Sequence, residues 1–101
     1  MKLTVSRPFL RQSKMPLQRL AEAMGQETRL GNAVFLLGIG GRSDHWSVCI
    51  GVTPCTLRLR DSTRMQRLRL ANCRLRYERR LPTPTEYVLS TRECIRIAAV
   101  G

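Results

Sequence analysis

The single histidine of this chain, His45, and the carboxylate of Asp61 are separated by a spacing that could support proton transfer. His45 stands at the start of an apolar run that continues to Val52, and Asp61 follows a second short run. In a nucleophilic site, a histidine acts as general base while a carboxylate fixes its orientation and tautomer. A lone histidine is more often a structural or exposed residue, so this assignment depends on whether the two side chains meet.

An amphipathic helix is predicted near the N-terminus, after an extended or irregular segment over residues 1–12. The apolar positions that share one helical face are Leu17, Leu20, Ala21 and Met24. Ser13 could cap this helix, Pro16 is tolerated in its first turn, and Gly25 offers a stop. The pattern therefore predicts a helix over about residues 14–24.

The histidine and the aspartate are predicted to lie on a hairpin of short strands. Residues 33–39 form a continuous apolar run that is too short for a good helix, and Gly40 and Gly41 close it. Residues 45–52 and 56–60 then flank a tight connection, which is typical of two antiparallel strands.

Leucine and arginine continue to alternate after the hairpin, which predicts one or two further strands within residues 67–76. Residues 86–90 and 94–100 predict a final hairpin that turns at residues 91–92. The expected fold class is α+β, with a short N-terminal amphipathic helix followed by a five- or six-stranded, mostly antiparallel sheet. The expectation is a single small domain over residues 1–101, with the sheet over about 31–100.

The register of the hairpin decides whether His45 reaches Asp61. If the hairpin pivots on Thr53, the two residues stand opposite one another with their Cβ atoms about 5 Å apart. Packing the apolar residues of the first strand on the same face as the leucines of the second needs a shifted pairing. That shift would separate the pair onto opposite faces unless twist or a β-bulge intervenes. The pattern leaves both arrangements open.

Residues 33–75 combine an apolar strand, a Gly-Gly pair, a polar turn, an HW motif followed by VxxGV, then LxLxDS and a basic LRL run. This series resembles the C-terminal half of papain-like cysteine peptidases, closest to the bacterial double-glycine leader peptidases and their relatives. The resemblance implies half of a papain-like fold, in which a helix packs before the strand that leads to the histidine. It also implies that His45 is the general base and Asp61 its orienter.

The nucleophile of that family is a cysteine that precedes all of these elements, whereas every cysteine here follows His45. The four are Cys49, Cys55, Cys73 and Cys94. Cys49 would share a strand face with His45 but stand about 13 Å away. We expect free thiols that fill small buried volumes, and a truncated or degenerate peptidase module that is not active alone. It would act as a binding domain, or complete its site with a nucleophile from another chain.

The net charge of +11 supports a second interpretation, a small basic nucleic-acid-binding protein. The arginines expected to form a basic sheet face are Arg58, Arg60, Arg67, Arg69, Arg74 and Arg76. Aromatic residues are few and no DNA- or RNA-binding motif is present, so binding would be to the phosphate backbone. An acidic protein partner would fit the same face, and the charge could also serve solubility alone.

Cofactors and metals are not expected. The cysteines form no C-x-x-C pair, and one histidine cannot complete a metal shell with them. No apolar stretch has the length of a signal peptide or a membrane span, so a cytoplasmic protein without a membrane partner is expected. Exposed edge strands would allow a homo-oligomer through strand pairing.

Overall fold

A computed structural model describes residues 2–12, 14–31, 33–61, 64–77 and 83–100, and it confirms the α+β class with one helix and a seven-stranded, mostly antiparallel sheet. The elements in chain order are β1 (Lys2–Ser6), α1 (Leu17–Arg29), β2 (Ala33–Gly41), β3 (His45–Val52), β4 (Thr56–Arg60), β5 (Arg67–Arg69), a 3-10 turn (Leu70–Asn72), β6 (Cys73–Leu75) and β7 (Tyr87–Val100). Within these ranges, no helix is both long and apolar enough to cross a membrane.

The strands lie in the order β1-β7-β2-β3-β4-β5, and β6 pairs in parallel with the start of β7. The sheet therefore has more strands than the five or six expected. One addition is β1, in which Leu3 and Val5 alternate with polar residues although all five residues are exposed. It forms by pairing with the last residues of β7.

The predicted final hairpin is wrong, because Tyr87–Val100 is one continuous strand. Its pairing with β2 shifts register between Leu37 and Ile39, so the extra residues of β7 are absorbed without a chain reversal. Thr91 lies within this irregular stretch and is only 4% exposed. Residues 91–92, which suggest a turn, are thus held in the sheet because Leu89 before them and Cys94 after them both pair with β2.

The helix begins at Leu17, with Pro16 at its N-cap, and runs past the predicted stop at Gly25. Gly25 is buried where α1 crosses β3, and a Cβ added there would lie 3.2 Å from the Cβ of Val52. This glycine therefore gives close approach to the sheet instead of ending the helix. Ser13, the predicted cap, lies outside the described residues.

The hydrophobic core lies between α1 and one face of the sheet. Its largest fully buried side chains are Phe35, Leu20, Met24, Leu37, Leu57, Leu75 and Leu89. The ring of Phe9 stacks on Phe35 with centroids 6.1 Å apart, so the segment after β1 closes one end of the core. His45 stands opposite Ile39 in the sheet, which places it at the rim of this same face.

Candidate functional site

A β-bulge in the β3–β4 hairpin brings the histidine and the aspartate to one face. Cys49 pairs with Leu59, but the next pair is Gly51 with Arg58, so Ile50 is the extra residue. Because of the bulge, Cys49, which precedes it, and Val52, which follows it, both face the core. Val48 pairs with Arg60, and the same register extended by one residue places Asp61 beside Ser47. Ser47 lies on the same face of β3 as His45, which is two positions earlier.

His45 is held at both ring nitrogens. Its Nε2 lies 3.2 Å from Oδ2 of Asp61, and its Nδ1 lies 2.9 Å from the hydroxyl oxygen of Ser43. An ionised carboxylate only accepts hydrogen bonds, so in the neutral imidazole Nε2–H donates to Asp61 and Nδ1 accepts the Ser43 hydroxyl proton. This neutral tautomer leaves Nδ1 as the basic nitrogen.

The carboxylate of Asp61 is fixed by more than the histidine. The Ser47 hydroxyl donates to Oδ2 at 2.8 Å, and the Met65 backbone N–H donates to Oδ1 at 3.2 Å. The side chain of Asp61 is only 3% exposed, whereas that of His45 is 15% exposed. The acid is therefore an oriented, shielded partner, and the base stands nearer to solvent.

Sequence reasoning did not identify Ser43 and Ser47 as members of this site. A signal was present, because the two serines lie two positions before and after His45, and residues two apart on an extended chain point the same way. Ser47 is 1% exposed and pairs across the sheet with Leu37, so it is a polar residue that the core tolerates because Asp61 accepts its hydrogen bond.

This arrangement has the geometry of a general base. A nucleophile placed where the Ser43 hydroxyl lies could transfer its proton to Nδ1, and Asp61 would stabilise the resulting imidazolium. On the other face of β3, Trp46 pairs with Gly38 and is 49% exposed. No three potential ligands among the described residues cluster as a metal site would require.

The cysteines are poorly suited to act as nucleophiles for this base. Burial raises the pKa of the Cys49 thiol to about 11 and the pKa values of the Cys73 and Cys94 thiols to about 12. These three agree with the expectation of buried free thiols, whereas Cys55 is exposed, which that expectation did not foresee. Cys55 lies at the turn between β3 and β4, at the opposite end of β3 from His45.

A thiol-labelling experiment should separate these two classes. At pH 8 the folded protein should react quickly at Cys55 alone, and the other three thiols should react only after unfolding, because a buried neutral thiol is a weak nucleophile. The count of labelled thiols in buffer and in denaturant checks this, with Cys55→Ser as the control that removes the fast reaction. Rapid labelling of any remaining cysteine in the folded Cys55→Ser variant would contradict the burial of these three thiols.

The raised thiol pKa values also predict loss of stability in alkali. The unfolded chain releases thiol protons near pH 9, before the folded chain does, so the stabilisation is complete below pH 9 and falls as pH rises toward 11 to 12. The free energy of unfolding, measured by denaturant titration, should be nearly constant from pH 8 to pH 9 and should then decline by about 1.4 kcal/mol per pH unit, up to pH 10.5, for each such thiol.

The predicted basic face is assembled only in part. Arg58, Arg60, Arg67 and Arg69 are exposed at alternate positions of β4 and β5. Arg74 is only 2% exposed, so it does not belong to an exposed surface, because the whole of β6 is buried and alternation does not decide its orientation. Arg76 lies elsewhere, 3.8 Å from Glu93.

Comparisons of this chain with protein-family models, with curated proteins and with solved structures found no match. The functional interpretation therefore depends on the residues and geometry described above.

Proposed function

We propose that this chain is a truncated or degenerate papain-like peptidase module that keeps the base and its orienter, His45 and Asp61, and works with a partner or as a binding domain. The observation that carries the proposal is the imidazole of His45 bridged between Asp61 and Ser43. A solvent-exposed histidine would not need a buried carboxylate that is itself oriented by two further donors.

The order of elements supports the proposal. Helix α1 packs against β2 and β3, and β2 leads through the turn at residues 42–44 to His45. Asp61 then follows β4 directly. This is the order that the resemblance implies, a helix before the strand that leads to the base and an aspartate after the next strand.

In this proposal the nucleophile comes from outside the described residues, for example from another chain. The three buried thiols are protonated at neutral pH, and Cys55 is remote from the base along β3. The hydroxyl of Ser43 marks the position that a nucleophile would take, since it already bonds to Nδ1. A thiol delivered there would form a thiolate–imidazolium pair.

A serine-to-cysteine substitution tests whether the pair can activate a thiol. In a Cys55→Ser background, Ser43→Cys should react with iodoacetamide near pH 7 at least about tenfold faster than it does when His45→Gln is also present. The alkylation of the first variant should also remain fast at lower pH, because the imidazole takes up the thiol proton. Mass mapping of the labelled peptide confirms the site of reaction.

Equal alkylation rates with and without His45 would show that the imidazole is not a competent base, and the proposal would fail. A nitrogen-detected NMR spectrum of the single histidine provides an independent check, since the expected tautomer carries its proton on Nε2. If peptidase activity is found with a partner, His45→Ala should abolish it, and full activity in that variant would remove the catalytic interpretation.

A further inference from the structure

Strands β4 and β5 bring arginines directly opposite one another. Leu57 and Leu59 face the core, so the alternate residues Arg58 and Arg60 face away from it. The register pairs Arg58 with Arg67, and the neighbouring pair is Thr56 with Arg69. Like charges opposed across a strand pair repel one another, so this arrangement costs stability unless an anion offsets it.

These arginines border a concavity of about 840 Å³ formed by β3, β4, β5 and the turn at residues 64–66. Its charged lining comprises Arg58, Arg60, Arg64 and Arg67, together with Asp61. None of the ion pairs within the described residues involves these four arginines. Asp61 carries one negative charge against the four positive ones, and its carboxylate, 3% exposed, accepts hydrogen bonds from His45, Ser47 and Met65.

Arg64 adds a second observation at the same place. Its φ of 66° lies in the left-handed region, which is uncommon for a residue with a side chain. The turn that needs this conformation presents the Met65 N–H to Asp61 and leaves Arg64 exposed beside the concavity. The conformation therefore places a further guanidinium at the rim while it completes the Asp61 site.

We propose that this concavity binds the phosphodiester backbone of single-stranded nucleic acid. Guanidinium groups match phosphate oxygens with two parallel hydrogen bonds, and four of them converge here. Along β4, Arg58 and Arg60 are spaced by two residues, about 6.7 Å, so they can meet successive charges of an extended polyanion.

The lining favours a phosphate chain over an acidic protein segment. Protein interfaces are enriched in aromatic residues as well as arginine, whereas the described lining of this concavity combines four arginines with no aromatic side chain. Because the described residues bring no aromatic side chain to it, base stacking would add little. We therefore expect binding that is independent of sequence and strongly dependent on salt.

The binding can be measured by fluorescence anisotropy with a labelled oligo(dT) of about 12 nucleotides, at about 50 mM and 200 mM salt. The double substitution Arg58→Gln with Arg67→Gln should raise Kd at least tenfold at the lower salt. It should also reduce the slope of log Kd against log salt by about 1.4, since each phosphate contact on a single strand contributes about 0.7.

The matched control is Arg19→Gln with Arg29→Gln, which removes the same charge from two exposed positions on α1. It should change Kd by less than about threefold. The test variant should fold as well as the parent or better, because it removes an opposed pair of like charges, and thermal unfolding checks this.

Three results would overturn the proposal. One is wild-type binding that is absent at low salt or insensitive to salt. Another is an equal rise of Kd in the control variant, which would indicate attraction by the overall positive charge and no defined binding site. The third is competition by polyglutamate or by inorganic triphosphate that equals or exceeds that of unlabelled oligo(dT), which would assign the concavity to an acidic protein or to a small polyphosphate. The His45 site is untouched by these variants, so failure here and failure of the proposed function are distinguishable.

Discussion

Replacement of Asp61 by alanine should lower the free energy of unfolding by about 3 kcal/mol. The carboxylate accepts hydrogen bonds from the Nε2–H of His45, the hydroxyl of Ser47 and the N–H of Met65. Its loss leaves these donors without their acceptor beside the core, and Ser47 is too deeply buried to turn toward solvent. The imidazole also loses the partner that selects its tautomer.

Urea or guanidinium unfolding monitored through Trp46 measures this effect as a shift of midpoint at constant m-value. Asp44→Ala is the matched control, since Asp44 is an exposed carboxylate next to His45 and its removal changes the net charge equally. That control should stay within about 0.5 kcal/mol of the parent. Equal stability of the two variants would mean that the hydrogen bonds to Asp61 contribute nothing to the fold.

Substitution of Gly41 by alanine should also cost about 3 kcal/mol, through backbone conformation and overlap together. Gly41 has a φ of +79°, and an added Cβ would lie 2.7 Å from the backbone oxygen of Glu86 and 2.9 Å from Cγ2 of Val88. That same oxygen accepts the N–H of Arg42 at 3.0 Å. Relief of the overlap would move the start of the turn that leads to Ser43 and His45.

Gly31→Ala separates the two contributions to this cost. Gly31 has a similar φ of +83°, but no atom lies within 4 Å of an added Cβ, so only the conformational penalty of about 1 kcal/mol applies. The difference between the two variants in midpoint stability measures the overlap at Gly41. In the Ser43→Cys protein, Gly41→Ala should also reduce the histidine-dependent alkylation rate, whereas Gly31→Ala should not. Identical costs at the two glycines would contradict the close approach of Gly41 to β7.

The fold class and the β3–β4 hairpin were predictable because they depend on local pattern. Alternation along β4 and the short connection after Val52 indicate a hairpin whatever surrounds it. The contact between His45 and Asp61 was not decided by that pattern, since it needs the bulge at Ile50. The bulge depends on packing: Cys49 and Val52 both have to face α1, and sequence spacing alone does not require this.

Two errors have a common physical cause. Residues 91–92 resemble a turn but lie inside β7, which pairs with β2 before and after them, and Arg74 resembles an outward-facing strand residue but is buried in β6, which pairs with β7. Gly25 is a third case, because contact with β3 gives the glycine a packing role inside the helix. Local signals fail in this protein where contacts with elements distant in the sequence decide the conformation or the burial of a residue.

The position of β7 has a consequence for the order in which the protein folds. This strand pairs with β1, β2 and β6, and its partners include Lys2 with Val100, almost the full length of the chain apart. Such distant pairs close slowly, whereas the β3–β4 hairpin closes locally and early. Until β7 docks, the apolar edge of β2 is an open template for other chains. Self-association should therefore be a hazard of refolding more than of the native protein, and it should grow with protein concentration during refolding.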